Sequence, residues 1–325
     1  MTRLMRPLSV FSLLLLALWL GNTSAIVALP EDRTPRLLAH RGVHQIRAGT
    51  ERTNDTCTAN PILPVTHDYI ANTRRSMQAA FGFGADVVEI DVHLTPDGQF
   101  AVFHDWRLEC QTDGTGVTHE QPMTLLRGLD LGHGYTSDGE SFPLRGTARG
   151  QMPTLAEVLS DGSGPYLINF KSRRAEEGAA LAELLSAGDH DAQVFGVYGG
   201  APPTRAALAA RPGLRGYDRP ALKACVIRYA LLGWSGYVPE ACRDRLIALP
   251  LNVAPWLWGW PHRLTARMAT HGTTVILLGP LDGSGFSSGI DDEQMLARVP
   301  ARLDAYLWTN RIEVIGPLRR AKPAP

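Results

Sequence analysis

The sequence predicts a parallel α/β barrel, and three observations point to it. Short β-branched and aromatic runs alternate with helical patterns along most of the chain, as βα units do. Three of those runs end on polar residues: His40-Arg41, Glu89 and Asp91, and Asn169 and Lys171. A barrel brings side chains from different strand ends together in just this way. The length, 325 residues with 44% hydrophobic content, is enough for one large core with extended loops. Basic and acidic residues number 32 each, a balance that carries neither a nucleic-acid nor an anionic-membrane footprint.

In chain order, Arg3 and Arg6 precede an apolar run over residues 8–20, and Thr23-Ser24-Ala25 supplies small residues. This is the pattern of a secretory signal peptide over residues 1–25, with residues 26–325 as a single barrel domain. Removal of residues 1–25 leaves 30 basic against 32 acidic residues, a formal charge of −2. The first strand is expected over 36–39, a long polar loop over 44–66 and a helix over 72–83. Runs at 87–94 and 100–103 flank Pro96-Asp97-Gly98, which reads as two strands and a tight turn. Residues 106–152 are rich in Gly and Thr without sustained periodicity. Thr154 stands three residues before Glu157, a capping box that opens a helix. A strand over 166–171 and a helix over 175–187 follow. Later strand candidates lie at 194–198, 214–217, 246–251, 274–278 and 305–308. With the four before them they make nine for eight places, so either 214–217 or 246–251 is expected to be accessory. The chain shows no internal repeat or low-complexity segment that would divide the barrel.

On a strand alternate residues share a face, so Glu89 and Asp91 point together while Val88, Ile90 and Val92 point away. Two adjacent carboxylates are costly unless a cation offsets them, and hard divalent ions prefer oxygen ligands. The chain uses three lysines, Lys171, Lys223 and Lys322, against 29 arginines. Lysine at a strand end is therefore not this composition's routine cation, and its compact head suits a phosphate oxygen. Trp256-Leu257-Trp258-Gly259-Trp260 could line a pocket, and Trp308 ends the last strand candidate. Residues 283–289 read as a loop over the same face. Four cysteines in an exported chain suggest two disulfides, and the pairings favoured are Cys57–Cys110 and Cys225–Cys242.

The ordered series His40-Arg41-Gly42, Glu89-Ile90-Asp91, Thr95-Pro96-Asp97-Gly98, Phe103-His104-Asp105 and Met152-Pro153-Thr154-Leu155 resembles the glycerophosphodiester phosphodiesterases, which share a scaffold with phosphatidylinositol phospholipases C. The resemblance runs from about residue 36 to 317 and is strongest before Lys171. It implies a TIM (β/α)8 barrel with an insertion at about 106–152 over the C-terminal face of the strands. It also implies metal-dependent hydrolysis of small-molecule glycerophosphodiesters to glycerol phosphate and an alcohol, through a cyclic phosphate. His40, His104, Arg41 and Lys171 would be catalytic, and Glu89, Asp91 and Asn169 would hold Ca²⁺ or Mg²⁺. Trp256, Trp258 and Trp308 would meet substrate. The protein would be secreted or periplasmic, with no stable membrane span after signal cleavage. Two positions depart from the family pattern. Asn169 stands where a glutamate ligand is usual, and Ala71 precedes Asn72-Thr73 where a glutamate is usual. Glu51 and Asp55 are possible substitutes. Alternative readings are a phospholipase acting on lysophospholipids or phosphoinositides, and a barrel that binds a phosphorylated ligand without turnover.

Overall fold

The computed structural model describes residues 2–30, 33–49, 56–283 and 288–321. Its strands are β1 (Arg36–His40), β2 (Val87–Leu94), β3 (Phe100–Val102), β4 (Tyr166–Phe170), β5 (Val194–Gly199), β6 (Gly216–Asp218), β7 (Leu246–Pro250), β8 (Thr274–Leu278) and β9 (Tyr306–Thr309). Its helices are α1 (Thr2–Asn22), α2 (Arg74–Phe83), α3 (Met123–Leu126), α4 (Leu155–Ser160), α5 (Glu176–Gly188), α6 (Ala201–Ala210), α7 (Arg219–Leu232), α8 (His262–Thr270), α9 (Glu293–Ala297) and α10 (Ile312–Ala321). Eight strands form a nearly closed parallel barrel in the order β6-β5-β4-β2-β1-β9-β8-β7, open only between β6 and β7. β3 pairs antiparallel with β2 outside that path.

The strand count corrects the expectation at one point: 214–217 and 246–251 both contribute barrel strands, and the accessory strand is β3. The physical reason lies in the turn. Pro96-Asp97-Gly98 is too short for a crossover, so β3 must return antiparallel, and an antiparallel strand cannot occupy a place in a parallel barrel. The helix expected over 72–83 begins at Arg74 because Asn72 takes a left-handed φ of 61° and extended Thr73 caps the helix, its side chain accepting the Ser76 N–H. The capping box at Thr154 and Glu157 forms with both reciprocal hydrogen bonds.

Three apolar cores follow from the strand alternation. Outward residues such as Leu37, Ala39, Val88, Ile90, Ile168 and Leu277 pack under the helices. Inward residues Leu38, Val87, Leu167, Leu246, Ile276 and Trp308 fill the barrel, as layered side chains do in this architecture. A third core joins Phe103, just after β3, and Leu108, Leu126, Leu131 and Tyr135 of the insertion to Ala59, Ile62 and Ile70 of the long loop after β1. The two segments thus form one lobe, and Cys57–Cys110 closes it with a Cα separation of 5.4 Å. Cys225–Cys242 ties α7 to the approach to β7. Both expected pairings are formed, and bridges of this span stabilise by roughly 3 to 4 kcal/mol in the chain-entropy model.

Among the described residues no helix is long and apolar enough to cross a membrane. Glu51, Asp55 and most of the loop expected over 283–289 lie outside the described residues.

Glu177, in the first turn of α5, is fully buried. Its Oε1 accepts the Leu94 N–H at 3.5 Å and its Oε2 has no partner. Burial pushes its carboxyl up to about 7, against the Ser172 and Leu94 hydrogen bonds that lower it. The native state therefore keeps a proton that the unfolded chain has already released. The stabilisation is complete at acid pH and is lost as pH rises through 7. Glu177→Gln removes the titration, so wild type should lose stability relative to the variant between pH 5 and pH 8, by at most about 3 kcal/mol. Urea unfolding of both proteins at the two pH values measures it, and a constant difference would contradict the assignment.

Candidate active site

The site stands at the C-terminal ends of the strands and is built outward from β2. The Glu89, Asp91 and His93 side chains take the inward face of that strand, and all three are fully buried. Register places His40 beside Glu89, Asp91 beside Asn169, and Asn169 beside Tyr198. Paired residues in parallel strands face the same way, so these polar groups share one layer above the apolar filling. Chain reversal after β1 brings in Arg41. Arg41 and Gly42 both take left-handed φ values, 57° and 75°. A Cβ at Gly42 would meet the Ser76 backbone at 2.8 Å, so only glycine fits there. A left-handed arginine costs of order 1 to 3 kcal/mol and survives where its surroundings hold it.

Asp91 is what holds it. Arg41 Nε lies 3.1 Å from Asp91 Oδ2, and Asn72 Nδ2 donates to the same oxygen at 3.0 Å. Asn169 Nδ2 donates to Oδ1 at 2.8 Å, and Lys171 Nζ is 3.6 Å from it. Burial alone would raise this carboxyl, but Lys171 first, with His104, Arg41 and the Asn72 amide, holds it well below the usual carboxylate range. Glu89 is the opposite case. Its partners are the Tyr198 hydroxyl, donating at 2.7 Å, and the Arg41 N–H at 3.2 Å. Burial first, and Asp91 second, push it up to about 8.

The two histidines are anchored alike. His40 Nδ1 lies 2.6 Å from Asn310 Oδ1, and Asn310 is held by Asp291 at 2.7 Å. His104 Nδ1 lies 2.8 Å from Asp105 Oδ1. Each acceptor places the proton on Nδ1 and leaves Nε2 as the free nitrogen. Burial lowers both pKa values well below the ordinary imidazole, with Arg41 next in effect. Burial also lowers Lys171, against the pull of Asp91.

The structure brings His40, Arg41, Glu89, Asp91, His104, Asn169, Lys171 and Trp308 to one place. Trp308 packs against His40 with ring centroids 4.9 Å apart. The Trp258 indole donates to the Ala230 carbonyl on α7, and Trp256 is 85% exposed. Tyr198 and Asn310 were not singled out from the sequence, and Asn72 and Asp105 stand in its quoted motifs without a role. All but Asn72 follow a strand candidate or end one, and that position is the signal that could have found them.

A family model described as "Glycerophosphoryl diester phosphodiesterase family" matches residues 65–185, the segment that carries Glu89, Asp91, His104 and Lys171. This match places residues 65–185 with the glycerophosphoryl diester phosphodiesterase family. A glycerophosphodiester phosphodiesterase of Caldanaerobacter subterraneus is 34% identical over 101 residues, 31% of this chain and 38% of that protein. One from Bacillus altitudinis is 33% identical over 110 residues, 33% of this chain and 42% of that protein. The matched segment therefore spans about two fifths of these curated relatives. Solved structures extend the likeness of fold. The glycerophosphoryl diester phosphodiesterase domain of a Mycobacterium tuberculosis protein is 18% identical, covers 88% of this chain and 99% of its own, and has a TM-score of 0.61. An Oleispira antarctica phosphodiesterase in complex with the product sn-glycerol-3-phosphate is 20% identical, covers 87% and 96%, and has a TM-score of 0.51.

A divalent cation, which the matched family implies, would be held by the Glu89 and Asp91 carboxylates. The Glu89 carboxyl is fully buried beside Asp91, and burial with that neighbouring charge raises it against the pull of Arg41 and Lys171. A hard cation beside the pair would restore an ordinary carboxylate. Asn169 presents its Nδ2 to Asp91, and its Oδ1 lies toward Gly199, where a Cβ would stand 2.3 Å from it. It serves here as a hydrogen-bond donor, and its amide would have to turn over to become a ligand. Cys57, Asp105 and Cys110 also converge within 4.8 Å, but both sulfurs are spent in the disulfide. Asn169→Asp should tighten Ca²⁺ or Mg²⁺ binding, and Glu89→Ala and Asp91→Ala should weaken it at least tenfold. Calorimetric titration of the folded variants measures this, and equal affinity in wild type and Asp91→Ala would remove the carboxylate pair from the metal site.

Proposed function

We propose that this protein hydrolyses glycerophosphodiesters to glycerol phosphate and an alcohol by acid–base catalysis between His40 and His104. The observation that carries the reading is the matched anchoring of the two imidazoles beside a fixed pair of cations, Arg41 and Lys171. The product held by the Oleispira antarctica phosphodiesterase supports the same substrate class.

The chemistry follows from charge. The anionic phosphoryl group would sit against Arg41 and Lys171, which neutralise charge on its oxygens as the transition state forms. Burial keeps both imidazoles neutral in the free protein, and a bound anion would favour a proton on one of them. One neutral Nε2 would take the proton from the glycerol hydroxyl next to the phosphate. That oxygen would bond to phosphorus as the phosphorus–alkoxide bond breaks, and the protonated imidazole would supply the proton that the departing alcohol needs. The histidines would then exchange roles while water opens the cyclic phosphate. Intramolecular attack gains from proximity. A divalent cation at Glu89 and Asp91 would supply further positive charge to the phosphoryl oxygens.

Residues 26–325 act as one barrel domain in this reading, with 106–152 as its insertion. Two disulfides and the 1–25 signal pattern support export to an oxidising compartment.

His40→Ala and His104→Ala should each lower turnover of glycerophosphocholine by about 10² to 10⁴-fold. The double variant should lose less than the product of the two. A substrate with the neighbouring hydroxyl replaced by hydrogen should bind without being cleaved. Full activity in His40→Ala, or rapid cleavage of the deoxy substrate, would overturn the mechanism.

A further inference from the structure

The lobe over the barrel mouth carries a contact that the reaction scheme leaves unused. Asp105 is buried, 4% exposed, and His104 is not its only partner. The Thr58 hydroxyl donates to Asp105 Oδ1 at 2.8 Å, and the Thr58 N–H points to Oδ2 at 3.3 Å. Gln111 Oε1 lies 3.3 Å from the same hydroxyl. Thr58 follows Cys57 and Gln111 follows Cys110, so the disulfide binds the two residues on either side of the carboxylate into one clamp. The carboxylate itself lies within 4.8 Å of both sulfurs. Burial raises the Asp105 carboxyl and the two Thr58 hydrogen bonds lower it. Without those donors a buried carboxylate beside an imidazole is costly to keep charged.

We infer that Thr58, held by the Cys57–Cys110 disulfide, is a positioning residue for His104, acting through Asp105, so that full turnover requires this disulfide to be closed. The inference rests on the proposed role of His104. Asp105 fixes the tautomer and ring plane of the imidazole, and Thr58 fixes Asp105. Chain entropy explains why a bridge is needed: Thr58 stands in the long segment between β1 and α2. An open loop would have to order itself each time the contact forms. Accessibility distinguishes the two bridges. Cys57 and Cys110 are half-buried, whereas Cys225 and Cys242 are 1% and 0% exposed. A mild water-soluble reductant therefore reaches the first bridge and spares the second. Reduction adds two electrons and two protons to the Cys57–Cys110 bond and yields two thiols, the reductant being a thiol or phosphine supplied from solution. The catalytic site is thereby completed only where disulfides form, which couples activity to the compartment.

The test compares turnover of glycerophosphocholine by full-length wild type, Thr58→Val, Thr58→Ser, Asp105→Asn and the Thr58→Val/Asp105→Asn double variant. Thr58→Val should lower kcat by about ten-fold or more with KM and Tm little changed, and Thr58→Ser should restore it. In the Asp105→Asn background Thr58→Val should cost nothing further, because the hydroxyl acts only through that carboxylate. Phosphine treatment, with alkylation confined to Cys57 and Cys110 by peptide mapping, should lower wild-type kcat to the Thr58→Val level and leave Thr58→Val itself unchanged. Wild-type kcat in Thr58→Val, a change in KM alone, or multiplicative effects of Thr58→Val and Asp105→Asn would each overturn the inference. Full activity in His104→Ala would instead overturn the role of His104 on which it rests, so the two failures are told apart. If Cys57→Ser/Cys110→Ser does not fold, the Thr58 series still decides.

Discussion

The structure depends on one buried carboxylate. Asp91 sits with no exposure at the mouth of the barrel, and such a charge is tolerated only where it is fully paired. Its two oxygens are met by Arg41, Asn72, Asn169 and Lys171. Those four residues come from three separate places in the chain: the turn after β1, the entry to α2, and the end of β4. Two of them reach it at a local conformational cost, the left-handed φ values of Arg41 and Asn72. The result is that two cations are held beside one buried carboxylate before any substrate enters. Preorganised charge of this kind is the largest single contribution an active site makes to stabilising an anion in its transition state.

The imidazoles are arranged by a different device. His40 ends a barrel strand and leans on Asn310 and Asp291 from the last turn of the barrel. His104 belongs to no barrel strand. It follows β3, which the hairpin carries back along β2 until the Phe103 N–H reaches the Asp91 carbonyl at 3.0 Å. That return brings His104 to the level of the site, and the lobe built from the long loop and the insertion covers it. The histidines therefore depend on different parts of the molecule, one on the barrel and one on the lobe. The lobe has its own apolar core and its own disulfide.

Much of this was legible in the residues. Strict alternation in β2 set Glu89 and Asp91 inward, and the Thr154–Glu157 capping box fixed the start of α4. The scarcity of lysine singled out Lys171, which the structure places against Asp91. The strand count misled because periodicity alone does not say whether a run lies in the barrel, and the two-sided constraint of the tight turn outweighs it for β3. Three aromatics within five residues suggest a pocket wall, and of these the Trp258 indole finds its acceptor on α7. The partners of the histidines were out of reach because Asn310 meets His40 across 270 residues, and no local pattern encodes such a contact.

The most direct test of the account is a crystal structure of the protein with sn-glycerol 3-phosphate bound. The account predicts phosphate oxygens on Arg41 and Lys171, Nε2 of both His40 and His104 turned toward the phosphoryl group, and an undisturbed Asp91 cluster beneath it. A phosphate seated elsewhere, with Arg41 and Lys171 still bound only to Asp91, would contradict it.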